Sequence, residues 1–225
     1  MSSLLVVAAT RMELGFLGED IAHREGPPLA FRRGGWTALV CGIGKSNAAW
    51  CVGQALVREK VSRVMLVGLA GGQPGLEIGT LVIGREVVDA DLGVRSASGW
   101  TGLSALGFPS VSPYFNRLPC DPTMASIVEK TLQESGHPSV AGAIHTSDTV
   151  SGTVRLGAGR CERLDTIAEA MEGTGVATAC HHQQIPFVEL RVISNHIGKR
   201  SSFDLDRACT ALDQGLRDLY SAELW

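Results

Sequence analysis

Four short segments hold the residues whose types and spacing can do chemistry. They are Ala8-Ala-Thr-Arg-Met-Glu13, Gly68-Leu-Ala-Gly-Gly72, Glu169-Ala-Met-Glu-Gly173 and Arg191-Val-Ile-Ser-Asn195. Glu13 and Glu172 are carboxylates of the kind that act as general bases or face a developing positive charge. Each also has a plainer reading. Glu13 fits an acid in the first turn of a helix after the first strand, and Glu172 fits a helix-start carboxylate. Asn195 offers an acceptor and a donor pair on one planar group, or simply ends a strand in a turn. Gly71 and Gly72 let the backbone pass close to a ligand and equally make a tight turn after a strand.

Other patterns fail on inspection. Gly42-Ile-Gly-Lys45-Ser46 suggests a nucleotide P-loop, but the glycine required at position 39 is Leu39. The dinucleotide pattern fails because its last glycine would be Asn47. What remains is a glycine turn feeding a helix N-terminus, a generic anion or polar-group site. His181 and His182 are adjacent in an apparent helix, so they point about 100° apart and are poorly placed to chelate one ion. A surface or capping role suits them better. The sequence contains no G-x-S-x-G elbow, no metal site and no redox or nucleotide cofactor motif.

The elements that must position these residues follow from apolar periodicity. Leu4 to Ala9, Thr37 to Cys41, Val64 to Val67, Thr80 to Val88, Ser139 to Ile144 and Phe187 to Ile193 read as strands. Lys45 to Arg58 reads as a helix with Ala48, Val52 and Ala55 or Leu56 inward. Asp121-Pro122 caps a second helix whose stripe is Met124, Ile127, Val128 and Leu132. Met171 to Gln183 reads as a third. The final helix is predicted to begin near Ser201, where Ser201 and Asp204 have capping-box spacing, with Leu205, Ala208, Leu212, Leu216 and Leu219 inward. Asp91 to Cys120, rich in Gly, Ser and Pro, reads as a long loop of the kind that forms a lid or is disordered. The alternation predicts one α/β domain over 1–225 with a mostly parallel or mixed sheet.

Composition sets the outer limits. The chain has 225 residues, 44% hydrophobic and 19% charged, with a formal net charge of -3. That charge gives no footprint for nucleic acid or an anionic membrane, so a small soluble ligand is expected. The six cysteines show no C-x-x-C pairing and several sit in apolar runs. They read as reduced thiols of a cytoplasmic protein. No apolar run approaches a transmembrane length, and the N-terminus reads as a buried strand rather than a signal peptide.

In order and spacing, the four segments together resemble the purine nucleoside phosphorylase-like superfamily, from about Leu4 to Ser221 and weakest between Asp91 and Cys120. The resemblance implies a three-layer sandwich, a central twisted mixed β-sheet flanked by helices. It implies cleavage of the N-glycosidic bond of a purine nucleoside, without cofactor or metal, by a homo-oligomer. Such cleavage builds positive charge on the ribose and negative charge on the leaving purine. Glu13 would hold and deprotonate the attacking water. Glu172 would accept from the ribose hydroxyls, with Met171 packed on the sugar. Ala70, Gly71, Val150, Ser194 and Phe203 would be further substrate-binding residues, Phe203 walling the 5′ side.

The nearest adenine-specific branch, the methylthioadenosine/S-adenosylhomocysteine nucleosidases, has an aspartate where this chain has Asn195. An amide cannot supply a proton to the purine N7. It can accept from a protonated N7–H while donating to a keto oxygen at O6, which matches hypoxanthine and disfavours adenine. The base-stacking aromatic of that branch falls near Val150, and Leu69 replaces a serine. These departures, with Ala170-Met-Glu-Gly173 and Glu189-Leu-Arg-Val-Ile-Ser-Asn-His-Ile-Gly-Lys-Arg200, are similar to the futalosine hydrolase branch. There the substrate is an inosine-like nucleoside whose 5′ end carries an aryl ketone with a carboxylate, which Lys199, Arg200 or Arg95 would meet. Two other readings stand beside it. One is another enzyme of the superfamily, either a phosphate-dependent phosphorylase, with Arg11 near the water site, or a methylthioadenosine-type nucleosidase. The other is a non-catalytic nucleoside-binding domain on the same scaffold.

Overall fold

A computed structural model describes residues 3–18, 29–97, 99–107 and 114–224 of the chain. The strands are β1 (Leu4–Ala8), β2 (Leu29–Arg33), β3 (Trp36–Val40), β4 (Arg63–Gly72), β5 (Leu81–Asp89), β6 (Gly93–Ser96), β7 (Gly99–Gly102), β8 (Arg117–Pro119), β9 (Ser139–Thr146), β10 (Ala168–Ala170) and β11 (Phe187–His196). The α-helices are α1 (Lys45–Arg58), α2 (Leu103–Leu106), α3 (Pro122–Glu134), α4 (Val154–Leu164), α5 (Gly173–His182) and α6 (Leu205–Ser221). A short 3-10 helix, Arg11–Leu17, follows β1.

Strict alternation in β1 decides which layer each side chain joins. Leu4, Val6 and Ala8 enter the core beneath the 3-10 helix, α3 and α6. Leu5 and Val7 enter the core beneath α1 and α5. A period of two on a strand with helices on both faces requires apolar residues at every position, which β1 supplies.

The sheet runs β10-β9-β5-β11-β4-β1-β3-β2, with β8 on the edge of β5. It is mixed: β1, β3, β4 and β11 run parallel, whereas β5 is antiparallel to β11 and β10 to β4. The expected central mixed sheet flanked by helices is present, but the three-layer sandwich form needs correction. The last two residues of β4, Gly71 and Gly72, pair with Glu169 and Ala168 of β10. Strands β4, β11, β5, β9 and β10 therefore close into a barrel, and β1, β3 and β2 extend from it. Irregular registers in β11, between Ile193 and Asn195, and in β5, between Gly84 and Glu86, bend the strands enough to close the ring. The barrel interior is filled by Ala70, Val82, Ile144, Ala168, Ala170 and Ile193.

Two expectations change in detail. The stretch 91–120 is not featureless: it contains the β6–β7 hairpin, the one-turn α2 and β8, although residues 98 and 108–113 of it lie outside the described set. The final helix starts at Leu205, not near Ser201. Its cap is Asp204, whose carboxylate accepts from the Arg207 amide at 3.1 Å, while Ser201 sits in a separate 3-10 turn. In consequence Leu205 is 36% exposed, whereas Ala208, Leu212, Leu216 and Leu219 are buried. The six cysteines are free, all buried but the half-buried Cys209. No helix among the described residues is long and apolar enough to cross a membrane.

The corrected stripe makes a direct prediction. Leu212→Ala should lower stability by about 2–5 kcal/mol through a core cavity. Leu205→Ala should cost under about 1 kcal/mol. Urea unfolding of the two variants checks both.

Candidate active site

The site is built where the carboxyl end of β4 meets the end of β11 and the turn before α5. A cavity of about 270 Å³ opens there, and all nine sequence-selected residues line it: Glu13, Ala70, Gly71, Val150, Met171, Glu172, Ser194, Asn195 and Phe203. Lining side chains also include Glu169, which sequence reasoning quoted within its motif but gave no role. Three carboxylates and no cation line this cavity among the described residues.

The charge that balances them lies one layer behind. Arg191 is fully buried on β11 and donates Nε to Glu189 Oε1 at 2.7 Å, Nη2 to Glu172 Oε2 at 3.1 Å and Nη1 to the Leu69 carbonyl at 3.3 Å. Burial works against its charge, but Glu189, Glu172 and Glu13 outweigh that and raise its pKa above the ordinary value. Burial conversely pushes the Glu189 carboxyl up, opposed by Arg191, and leaves Glu189 Oε2 without a partner. Gly68 makes the arrangement possible. A Cβ there would stand 2.6 Å from Arg191 Nη1 and 2.7 Å from Glu13 Oε1.

Glu13 occupies the third position of the 3-10 helix and closes its first turn. Glu13 Oε2 accepts from the Thr10 amide at 2.8 Å and the Thr10 hydroxyl at 2.7 Å; Oε1 accepts from the Leu69 amide at 2.9 Å. The plain reading of a first-turn acid therefore holds, and it is what aims the group. Oε1 keeps a lone pair for a further donor. Glu172 likewise is the residue at the start of α5. Its Oε1 accepts from the Gly44 amide at 3.1 Å, so the glycine turn found in sequence serves a carboxylate of the protein itself.

Lys45 anchors that turn. Its ammonium lies 3.2 Å from Asp89, bonds Asp91, and is 3.6 Å from Asp148. Burial lowers the Lys45 pKa, yet the hydrogen bond and charge of Asp91 and Asp89 raise it overall. One cation thus ties the start of α1, the end of β5 and the loop carrying Val150.

Asn195 is aimed by the irregularity in β11. Ile193 pairs with Ala70 and Asn195 with Gly71, so Ser194 is the extra residue. The amide orientation is fixed by chemistry rather than by shape. Nδ2 donates to the His196 carbonyl at 3.1 Å, which can only accept, so Oδ1 faces the Ser194 hydroxyl at 3.0 Å. One N–H and one lone pair remain. A Cβ at Gly71 would stand 3.3 Å from Nδ2 and 3.1 Å from Ile197, so glycine keeps this edge open. Gly72 does not line the cavity; it makes room for Ile193.

Glu169 fixes the opposite wall. It accepts from the Ser151 amide at 2.8 Å, the Ser151 hydroxyl at 2.6 Å, His145 Nε2 at 3.1 Å and Arg160 Nη1 at 3.1 Å. Burial opposes its ionisation, but the hydrogen bonds from His145 and Ser151 prevail and lower its pKa to about 2. Its signal in sequence was only adjacency to Met171 and Glu172.

The remaining cationic candidates do not line this first cavity. Lys199 and Arg200 line an adjoining cavity of about 540 Å³ shared with Gly71, Val150, Glu169, Asn195 and Phe203. Arg95 lines a third. Arg11 does not line the first cavity; its Nε donates to the Gly18 carbonyl at 2.6 Å. Val150 is 55% exposed, and Phe203, 50% exposed, is the one aromatic among the described lining residues. His181 bonds the Pro119 carbonyl at 3.1 Å and so ties the end of α5 to the end of β8.

Two predictions follow from these charges. Arg191→Met should cost about 3–5 kcal/mol in urea unfolding, because Glu172, Glu189 and Glu13 would lose their shared cation. For Glu169 the folded pKa of about 2 lies below the ordinary 4.5. Its contribution is therefore present above that ordinary value and lost as pH falls toward the folded one. Acid titration of Glu169→Gln should show a shallower loss of stability across this window than the unsubstituted chain.

Comparison with known proteins places the geometry in context. The model of the Phosphorylase superfamily matches residues 5–214. Futalosine hydrolase of Thermus thermophilus is 35% identical, over 97% of this chain and 96% of that protein. The 5'-methylthioadenosine/S-adenosylhomocysteine nucleosidase of Bacillus thuringiensis is 34% identical, over 75% of this chain and 71% of that protein. The native structure of futalosine hydrolase from Helicobacter pylori shares the fold with a TM-score of 0.82 at 18% identity, covering 98% of each chain. With a family match that spans nearly the whole chain and includes Glu13, Glu172 and Asn195, this protein belongs to the phosphorylase superfamily.

Proposed function

We propose that this chain is a nucleosidase that hydrolyses the N-glycosidic bond of futalosine, releasing hypoxanthine and dehypoxanthine futalosine for menaquinone biosynthesis. The observation that carries this reading is the pinned Asn195 amide facing the same cavity as Glu13 and Glu172. Its free lone pair suits N7–H and its free N–H suits a keto O6. Adenine presents a donor in place of that oxygen and leaves a buried group unpaired, a mismatch that rejects it strongly.

Bond cleavage then follows from the carboxylates. Glu172 accepts from the ribose diol, with Met171 against the sugar, and its charge favours the oxocarbenium-like ribose. Glu13, through Oε1, holds the water and takes its proton as the water oxygen bonds to C1′. The electron pair of the C1′–N9 bond passes to the purine, which leaves protonated at N7. Ala70, Gly71, Val150 and Ser194 contact base or sugar, and Phe203 walls the 5′ side. Because the amide has no proton to give, the N7 proton comes from solvent.

Phosphorolysis is the weaker alternative. A phosphate at the water position would meet Glu13, Glu169 and Glu172 with no cation among the described lining residues, and Arg11 is turned to Gly18. The cytoplasmic setting and a single domain over 1–225 are part of the same proposal, as is a homo-oligomer. Support for the last is that Met12, Ile43, Val150 and Phe203 leave the cavity mouth apolar and about half exposed, a surface that a second copy would cover.

Free base released from futalosine, inosine and methylthioadenosine, each with and without phosphate, tests the reading. Hypoxanthine should appear from futalosine independently of phosphate, with methylthioadenosine at least ~10²-fold poorer in kcat/KM. Phosphate-dependent release would instead identify a phosphorylase. Equal release of adenine would overturn the role of Asn195, and nucleoside binding without turnover would indicate a binding domain.

A further inference from the structure

The third cavity, of about 490 Å³, lies across the Val150–Ser151 turn from the carboxylates, between the β6–β7 hairpin and α4. Its lining carries four arginines: Arg95, Arg155, Arg160 and Arg163. The one acid there, Asp91, is already bound to Lys45. Arg95, Arg155 and Arg163 form no ion pair or hydrogen bond with any described residue, and Arg160 alone is engaged, with Glu169. The Arg163 guanidinium stacks over Trp100 at 5.1 Å, which holds it in place. Burial, followed by the positive fields of Arg160 and Arg95, pushes its pKa below the ordinary value.

Arg95, Arg155 and Arg163 are exposed on the walls of this cleft and Arg160 is half-buried, so like charges converge where an anion from solvent can reach them. Such a cluster is stabilised by an anion, and planar guanidinium groups match carboxylate and phosphate oxygens in pairs. We propose that this cavity is an oxyanion site taking a carboxylate or phosphate. Arg160 couples it to the nucleoside cavity. Its Nη1 donates to the Thr149 carbonyl at 2.6 Å, to Ser151 Oγ at 3.3 Å and to Glu169 Oε2 at 3.1 Å. An oxyanion on Arg160 therefore competes with Glu169 and moves the turn that bears Val150. The first cavity, lined by three carboxylates, repels such a group. The oxyanion has two sources: an acidic arm of the nucleoside itself, which rests on the function proposed above, or a free anion.

Two measurements on the whole chain separate these, using Arg155→Ala/Arg163→Ala and, as a milder second variant, Arg95→Glu. The first is kcat/KM for hypoxanthine release from futalosine and from inosine. The second is calorimetric titration with isophthalate and with inorganic phosphate. A fall of about tenfold or more in the futalosine-to-inosine ratio assigns the site to the nucleoside's own carboxylate. A constant ratio, with isophthalate or phosphate bound by the unsubstituted chain and lost in the variants, assigns it to a free anion. A constant ratio with neither probe bound, or with binding equal in all chains, overturns the proposal. Should the unsubstituted chain release nothing from futalosine, the proposed function fails, and the titrations alone still decide the cavity.

Discussion

One buried guanidinium sets the terms for the rest of the site. Arg191 has no access to solvent and touches Glu189, Glu172 and the Leu69 carbonyl at once, with Glu13 close by. Removing an ion from water costs several kcal/mol even after relaxation, and only well-made hydrogen bonds offset it. Arg191 therefore fixes the positions of its partners as firmly as they fix it. The two carboxylates assigned to water and ribose sit on different segments, the turn after β1 and the start of α5. The Arg191 charge is what they share.

The backbone is shaped to let these groups meet. Glycine at 68 leaves space for Arg191 and Glu13, and glycine at 71 leaves space for Asn195. The extra residue in β11 turns Asn195 toward the cavity, and the same irregular registers help β10 close the barrel against β4. Closure and site geometry thus have a common origin. Lys45, at the start of α1, holds the other rim through Asp89, Asp91 and Asp148.

Much of this was legible in the residues. The limits of α1, the start of α3 and the Asp121 cap follow from local chemistry, as Met124 N donating to Asp121 at 2.8 Å attests. The nine residues that line the cavity were legible only as a set, because no single one departs from an ordinary structural use. Glu13 is a first-turn acid and Glu172 a helix-start acid in the structure as well. What stayed hidden depends on distant pairing. Strand β10 is three residues long and has no periodicity to read, so barrel closure could not be seen. Helix α4 carries two glycines and four charged residues among its eleven, and its arginines meet the β6–β7 hairpin only after folding. Arg191 and Glu189 alternate with apolar residues in a strand, and nothing local says that both are buried.

The central claim is that Glu13, held by Thr10 and Leu69 beside Arg191, activates water for attack at C1′. Hypoxanthine release from futalosine in phosphate-free buffer, compared between the unsubstituted chain and Glu13→Gln, tests it most directly. Folding should be verified by matching circular dichroism. The expected result is a fall in kcat of ~10²–10⁴-fold, the range of a lost general base. A Glu13→Gln protein that retained full activity would contradict it.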